Sequence, residues 1–328
     1  MQEIKNKTVF ISALDWGMGH ATRCVPVIAS LVENNNTVII GVTPLTEAIF
    51  SQEFPTLQKV QIPPYNIKYS SFLPVWMKLI LDLKRIAKVI VNEKKVLQEI
   101  IIEYKINVVI SDNRFGLYSR KSHCIFISHQ LFLKAPFLNA IAQRINKKYI
   151  LNFDEVWVPD YEDVSESLSS LLSHGKHFHK NVKYIGPQSR FKKNISSEIK
   201  YDYLFLISGP EPQNSIFQNL LLEKSKNYPQ LKFALANNSE QKKREINVTY
   251  FISPDAKKLS EIICKSKNII CRSGFSTLMD LYVLKKFDLI LVPTPGQTEQ
   301  EYLAELWKEK FLCNAISQDQ IRRLKFTM

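Results

Sequence analysis

Hydrophobic positions along the chain occur in short, nearly continuous runs that alternate with longer segments of helical periodicity. Three early runs, at 7–14, 36–42 and 106–112, are rich in β-branched and aromatic residues. Runs of this kind are typical of strands buried on both faces in a parallel sheet that helices cover. The intervening segments, such as ATRCVPVIASLVENN at 21–35, have the spacing of amphipathic helices. The alternation therefore predicts a doubly wound α/β fold.

The same alternation starts again in the second half of the chain. VKYIGP at 182–187 leads into the polar, basic run QSRFKKNISSE at 188–198, which has the composition of a linker. YDYLFLISG at 201–209 then opens a new series of strand and helix patterns. We predict two Rossmann-like doubly wound domains, residues 1–188 and 189–328, which face a cleft.

The charge of the chain favours anionic partners. Lys and Arg total 44 against 31 Asp and Glu, a formal net charge of +13. Such an excess suits a nucleic acid, an acidic membrane surface or a phosphorylated substrate. The sequence has no zinc-finger spacing, RNP-type motif or basic heptad region, so we expect no nucleic-acid partner.

The N-terminus and the cysteines both indicate a cytoplasmic protein. The first residues pass from a short charged lead into a strand pattern without the apolar region of a signal peptide. The five cysteines are scattered, never spaced as CxxC, and mostly placed in apolar runs. We therefore expect reduced, mostly buried thiols.

The first candidate site is the turn DWGMGHATR between the first predicted strand and helix. Gly17 and Gly19 let the backbone turn, and the helix that follows presents free N–H groups to an anion or a sugar. His20 at the start of this helix is a candidate general base. The alternative is an ordinary turn between a strand and a helix.

The second candidate site is the strand-to-helix segment CRSGFSTLMD. Ser273 and Gly274 form its turn, while Ser276 and Thr277 can cap the helix and offer hydroxyls to a phosphate. Asp280, one helical turn later, can accept both hydroxyls of a ribose. A simple cap followed by an exposed acid explains the same residues equally well.

The third candidate site is VPTPGQTEQEYLAEL, in which acids open a predicted helix. The helix dipole favours Glu299 in a first turn whatever its function. Gln300 is more informative, because a neutral amide both donates to and accepts from sugar hydroxyls.

Together these segments resemble the two-domain (GT-B type) glycosyltransferases related to the enzyme that adds N-acetylglucosamine to lipid-linked peptidoglycan precursors, a family 28-like group. CRSGFSTLMD and PTPGQTEQEYLA are similar to the nucleotide-sugar motif of that family, and GMGHATR is similar to its N-terminal glycine-rich loop. HCIFISHQ resembles a strand that ends near the acceptor site. The chain departs from the family at Asp15-Trp16, at Asp280 in place of Glu and at SGPEPQ, which leaves the sugar and the acceptor open.

The resemblance assigns roles to individual residues. Asp280 stands at the ribose-binding carboxylate and Gln300 at a contact to the donor sugar. The remaining donor-binding candidates are Ser208, Gly209, Arg272, Ser273, Gly274, Ser276, Thr277 and Glu299. The acceptor-binding candidates are Gly17, Gly19, Arg23 and His129.

The implied reaction is a direct displacement at the anomeric carbon. His20 would remove the acceptor proton, and Asp112 would orient the imidazole, although Asp112 could equally cap a strand end. No convincing DxD-like pair is present, so helix N-termini and Arg272 would carry the leaving diphosphate without a metal or cofactor. Arg272 could instead be structural.

Two further features have ordinary explanations beside functional ones. The run HGKHFH at 174–179 has ligand-like spacing but lacks a completing Cys or acid. The lysine-rich region 73–104, with Trp76 and Met77 near its start, could lie on an anionic membrane or be a packed helix with a solvated basic face.

The sequence thus favours an inverting, metal-independent transferase that moves a hexose, for instance an N-acetylhexosamine, from a UDP-sugar to an acceptor glycan or lipid-linked saccharide. One alternative is a UDP-sugar 2-epimerase, since the same scaffold hosts such enzymes. The other is an accessory subunit that binds a nucleotide sugar without catalysis.

Overall fold

The computed structural model describes residues 3–66, 75–134, 139–176, 178–192, 198–237 and 245–327, with the side chains of the long helix given from residue 82 onwards. Outside residues 68–78, the chain divides into two compact units, one ending at Arg190 and the other beginning at Phe191. Trp76 and Met77, which the sequence offers for membrane contact, have side chains outside the described part.

The first unit is built on a parallel sheet whose strands come from the predicted apolar runs. Its strands are β1 Thr8–Ala13, β2 Thr37–Val42, β3 Gln58–Gln61, β4 Val108–Asp112, β5 His123–Ile127, β6 Glu155–Val158 and β7 Val182–Tyr184. Its helices are α1 Met18–Glu33, α2 Glu47–Glu53, α3 Val75–Tyr104 and α4 Asn139–Ile150, with a 3₁₀ helix at Ser170–Leu172. The strand order is β3-β2-β1-β4-β5-β6-β7, which places the first strand in the middle of the sheet.

Both faces of this sheet are buried, as the continuous apolar runs require. Val9 and Ile11 of β1 point to a core shared with Val27 and Ile28 of α1. Phe10, between them, points to the opposite core, which includes Leu97 of α3. Successive side chains of one strand therefore enter two separate cores.

The second unit repeats this plan with a six-stranded sheet. Its strands are β8 Tyr201–Leu206, β9 Phe233–Asn237, β10 Val248–Ile252, β11 Ser266–Cys271, β12 Leu289–Leu291 and β13 Asn314–Ala315. Its helices are α5 Gln213–Ser225, α6 Ala256–Cys264, α7 Phe275–Val283 and α8 Thr298–Phe311, and a 3₁₀ helix follows at Gln318–Arg323. The order β10-β9-β8-β11-β12-β13 again places the first strand inside the sheet.

The predicted fold class, two doubly wound α/β domains, is confirmed. The short strand β13 is an addition that its two residues could not reveal by pattern. All five cysteines are free thiols, and four of them are buried, as expected from their apolar surroundings. Within the described residues, no helix is both long and apolar enough to cross a membrane.

Candidate functional site

The carboxyl ends of three neighbouring strands gather the polar residues of the first unit. In the parallel register, Ala13 at the end of β1 lies beside Asp112 at the end of β4. Asp112 in turn lies beside Ile127 at the end of β5. His20 on α1 and His129 just beyond β5 therefore lie at the same edge of the sheet as Asp112, because parallel strands end at one edge.

Asp112 is the centre of this cluster and is fully buried. Its Oδ1 lies 2.7 Å from His20 Nδ1, and the imidazole is 22% exposed. Arg23 Nε donates to Oδ2 and Arg23 Nη2 donates to Oδ1, both at 2.5 Å. Arg23 Nη1 lies 3.1 Å from His129 Nδ1, and the Cys24 thiol lies 3.6 Å from Asp112 Oδ2. The side chain of Asp112 thus serves the histidine and the arginine rather than capping a strand end.

Burial and charge oppose each other in the pKa values of this cluster. Burial alone would raise the pKa of Asp112, but Arg23 and His20 outweigh it and hold that pKa well below its usual range. Burial and the positive charge of Arg23 lower the pKa of His20, against the opposite effect of Asp112. At neutral pH His20 is therefore uncharged beside an ionised carboxylate, the state that a general base requires.

The two glycines of the turn do not act through a left-handed backbone. Gly17 is extended, with φ 164°, and stands as the N-cap of α1, while Gly19 is the second residue of that helix. An added Cβ on Gly17 would lie more than 4 Å from every neighbouring described atom outside its adjacent residues. The chain turns between β1 and α1 with Gly17 in an extended conformation, and the space in front of Gly17 is open.

A second buried network holds the same turn and was not predicted from the sequence. Arg114, fully buried just after β4, donates from Nε to Glu93 Oε1 at 2.6 Å and from Nη1 to Asp15 Oδ1 at 3.3 Å. Tyr65 donates its hydroxyl to Glu93 Oε2 at 3.0 Å and its backbone N–H to Asp15 Oδ2 at 3.1 Å. Burial raises the pKa of Glu93, and the charge of Arg114 acts against that rise. This network fixes Asp15, at the start of the turn that carries His20.

The carboxyl ends of the strands in the second unit form a matching arrangement around Arg272. Arg272 follows β11 and is 2% exposed. Its Nη1 donates to the carbonyls of Val292 and Pro293 at 3.1 Å, and its Nη2 donates to the Gln213 carbonyl at 3.2 Å. The guanidinium therefore holds together the loops that follow β8 and β12.

The residues of the second candidate site lie at the start of α7. Gly274 is the N-cap, with no side-chain hydrogen bond at that position, so Ser276 and Thr277 fall in the first turn. The expectation that their hydroxyls cap the helix is wrong, because α7 begins before them. Ser273 is buried and donates to the Gln300 carbonyl at 2.7 Å. Asp280 lies one turn into α7 and is half-buried.

Glu299 and Gln300 open α8, as predicted. The amide of Gln300 accepts from the Thr294 N–H at 2.9 Å and donates to Gln297 Oε1 at 2.5 Å. Gln300 therefore shapes the loop between β12 and α8, and its predicted contact to a sugar stays a prediction.

The loop between β8 and α5 contains the predicted Ser208 and Gly209. Gly209 has φ 99°, a left-handed conformation that favours glycine. Asn214 Nδ2 donates to the Gly209 carbonyl at 3.2 Å. Among the described residues, Gln213 Oε1 and Asn214 Oδ1 are buried without a hydrogen-bond partner. The start of α5 thus presents two side-chain oxygens that can accept hydrogen bonds.

The described histidines of the run at 174–179 form hydrogen bonds within the protein. Both ring nitrogens of His174 lie within hydrogen-bond distance of protein atoms, Nδ1 at 2.8 Å from Ser173 Oγ and Nε2 at 3.1 Å from the Glu162 carbonyl. His179 Nε2 lies 2.9 Å from the Phe153 carbonyl. His177 lies outside the described residues. No group of His, Cys, Asp and Glu in the described part of the chain has the arrangement of a metal site.

The second unit is similar to a known family of domains. Residues 188–326, the second unit with its lead-in, match the Glycosyltransferase family 28 C-terminal domain. The chain is a glycosyltransferase. No curated protein matches this glycosyltransferase in sequence.

Solved structures share the fold over nearly the whole glycosyltransferase chain. The spinosyn rhamnosyltransferase SpnG in complex with thymidine diphosphate has a TM-score of 0.66 and 11% identity, covering 96% of this chain and 90% of its own. UGT89C1 of Arabidopsis thaliana, complexed with UDP-L-rhamnose, has a TM-score of 0.63 and 11% identity, covering 97% and 88%. The calicheamicin glycosyltransferase CalG4 has a TM-score of 0.62 and 12% identity, covering 96% and 87%. These likenesses show the GT-B fold.

Proposed function

We propose that the glycosyltransferase moves a hexose from a UDP-sugar to an acceptor hydroxyl, with His20 as the general base. The observation that carries the proposal is the 2.7 Å contact between His20 Nδ1 and Asp112 Oδ1 at the carboxyl edge of the first sheet. With Nδ1 directed to the carboxylate, Nε2 is the nitrogen left to take a proton. The partial exposure of His20, beside a fully buried Asp112, suits that task.

The proposed step is a single displacement. The acceptor oxygen forms a bond to the anomeric carbon while the bond from that carbon to the diphosphate oxygen breaks. His20 Nε2 takes the acceptor proton, and UDP leaves. Attack opposite the leaving group inverts the configuration. The N-termini of α5 and α7 would stabilise the diphosphate without a metal, which activity in the presence of a chelator would test.

The second unit would bind the donor. The match to the family 28 C-terminal domain supports this assignment, and the neighbours solved with thymidine diphosphate and with UDP-L-rhamnose support a nucleotide donor. Asp280 would accept the ribose hydroxyls, while Gln213 and Asn214 would accept from hydroxyls of the donor. The narrower resemblance to the peptidoglycan enzyme supports an N-acetylhexosamine and a lipid-linked acceptor.

The first unit would bind the acceptor near Gly17, where the space is open. Arg23 and His129 are 2% and 4% exposed, so we assign them to the support of His20 and Asp112 rather than to direct acceptor contact. The exposed Leu83 and Val91 of α3, interspersed with Lys84 and Lys88, support contact with an anionic membrane surface from the cytoplasm.

Two variants test the proposal separately in each unit. H20A should keep donor binding and lower kcat by a factor of about 10²–10⁴, which is the usual contribution of a general base. D280A should weaken UDP binding in calorimetry by tenfold or more, whereas D288A, an exposed acid just before β12, should leave it unchanged. UDP release from UDP-sugars with and without a panel of acceptors completes the test. Full turnover in H20A would remove the proposed base.

The same assay distinguishes the alternatives. Release of UDP that requires an acceptor supports transfer, whereas release of UDP together with an altered sugar and no acceptor identifies a 2-epimerase. Donor binding with no turnover of any kind, unchanged in H20A, identifies an accessory subunit.

A further inference from the structure

The guanidinium of Arg23 contacts two histidines in addition to the carboxylate. It binds both oxygens of Asp112 through Nε and Nη2. Its Nη2 also lies 2.8 Å from His20 Nδ1, and its Nη1 lies 3.1 Å from His129 Nδ1. A guanidinium has five N–H donors and no acceptor, so each atom to which it hydrogen-bonds must act as the acceptor.

This requirement fixes the state of His129. The Nδ1 atom that faces Arg23 must offer a lone pair, so the ring proton of His129 lies on Nε2. Protonation of Nδ1 would bring two N–H groups together beside a fixed positive charge. His129, which is 4% exposed, therefore faces Arg23 with the lone pair of Nδ1.

The same requirement acts on His20, where two groups compete for one nitrogen. Nδ1 lies 2.7 Å from Asp112 Oδ1 and 2.8 Å from Arg23 Nη2. With a proton on Nδ1, His20 donates to Asp112, and Nε2 is bare and basic. With the proton on Nε2, Nδ1 accepts from Arg23, and Nε2 has no lone pair left to take the acceptor proton.

We propose that Arg23 is a positioning residue that sets the basicity of His20 by neutralising Asp112. The inference rests on the proposed role of His20 as the base. The groups that face His20 are Asp112 from β4, Arg23 from the next turn of α1 and His129 from the segment after β5, with the Cys24 thiol behind the carboxylate. Asp112 is the anion among them, and Arg23 cancels its effect on the imidazole.

The direction of the effect follows from the charges. Without the guanidinium, the full charge of Asp112 favours protonated His20, so the pKa of His20 rises. A neighbouring opposite charge typically shifts a pKa by about 1–3 units. R23Q should therefore raise the pKa of His20 and move the acid limb of the pH profile of kcat/KM upwards by about that amount. R23K keeps the positive charge. It should shift the pKa of His20 and the acid limb of the pH profile by less than half the shift expected in R23Q.

Histidine-selective ¹⁵N NMR titration of the full chain measures the pKa of His20 directly, with H20Q used for assignment. The proposal expects an upward shift in R23Q and a smaller one in R23K, with the pH profiles of kcat/KM moving in parallel. An unchanged or lower pKa of His20 in folded R23Q overturns it. If R23Q does not fold, the wild-type chain still decides: a His129 ring that carries a proton on Nδ1 overturns the arrangement.

These results are separable from the test of function. The NMR titration needs no turnover, so full activity of H20A would remove the base while the effect of Arg23 on the imidazole stood. If H20A is inactive and the pKa of His20 is unshifted in R23Q, the role of His20 as the base is supported and the proposed role of Arg23 is overturned.

Discussion

At the scale of single residues, the first unit depends on two buried ion pairs placed side by side. Arg23 with Asp112 supports the proposed base, and Arg114 with Glu93 supports the turn that precedes it. A buried charge is tolerated when its partner and its hydrogen bonds are complete, and breaking such a pair leaves the other charge uncompensated. The two ion pairs therefore show how the side chains of the site are held in position, and they say little about the net stability of the unit.

The pair of Arg114 and Glu93 permits a direct test of this view. R114M should lower the free energy of unfolding by about 3–5 kcal/mol, because Glu93 is then buried without its cation. The double variant E93M/R114M should recover part of that loss, since Glu93 no longer lacks its cation, while Asp15 loses Arg114 and keeps the Tyr65 N–H. Urea unfolding of the single and double variants gives both values. A double variant less stable than R114M would contradict the argument.

At the scale of elements, α3 is joined to the segment after β4 by a close backbone approach. The Gly116 N–H donates to Glu93 Oε2 at 3.0 Å. A Cβ at Gly116 would lie 2.6 Å from Glu93 Cβ and would also overlap the Ile90 carbonyl, which belongs to the helix backbone and cannot swing aside. Glycine is needed at this position for space, so the distance of α3 from the sheet is fixed here.

G116A should therefore destabilise the first unit by about 1–3 kcal/mol, the usual penalty of overpacking. G17A is the matched control, because Gly17 is extended and a Cβ there meets no described atom within 4 Å. We expect its unfolding midpoint in urea to match that of the wild type. Equal midpoints for G116A and the wild type would show that α3 can move away.

At the scale of the whole molecule, the net charge of +13 is the property that the described sites leave unexplained. The buried arginines of the two units are engaged with protein groups, so the excess that meets solvent comes from other cations. A long-range positive field concentrates anionic partners near the surface, and salt screens it.

The chain should therefore bind vesicles that contain phosphatidylglycerol, and binding should weaken strongly between 50 and 500 mM salt, as expected where screening lengths fall from above to below about 10 Å. Phosphatidylcholine vesicles are the control and should bind little. Cosedimentation measures both. Equal binding to the two kinds of vesicle would point to apolar contact instead of charge.

Several parts of this molecule could be predicted from its sequence for physical reasons. His20 and Asp112 each follow an apolar run, and the ends of parallel strands share an edge, so their proximity was expected. The contact of Arg23 with Asp112 could not be predicted in this way. Helical periodicity shows which face of α1 is buried, but the residue that meets Arg23 depends on the register of the strands.

The network around Glu93 is not evident from the sequence, because the lysines dominate the pattern of α3. A signal existed: Glu93 precedes the buried Leu97 and Ile100 by four and seven residues, which puts the acid on the apolar face of the helix. The partner of Glu93 could not be predicted, because Arg114 lies 21 positions away and no local sequence pattern links the two residues.

The wide spacing of the cluster along the chain has a consequence for biosynthesis. Arg23 and Asp112 are 89 positions apart, and Arg23 and His129 are 106 positions apart. A ribosome therefore releases α1, with its cation on the inward face, long before the carboxylate that neutralises it has been translated. Until β4 adds to β1, this helix cannot dock fully without burying an unpaired charge. The nascent first unit is thus expected to wait, exposed to chaperones, for the strand that also completes its chemistry.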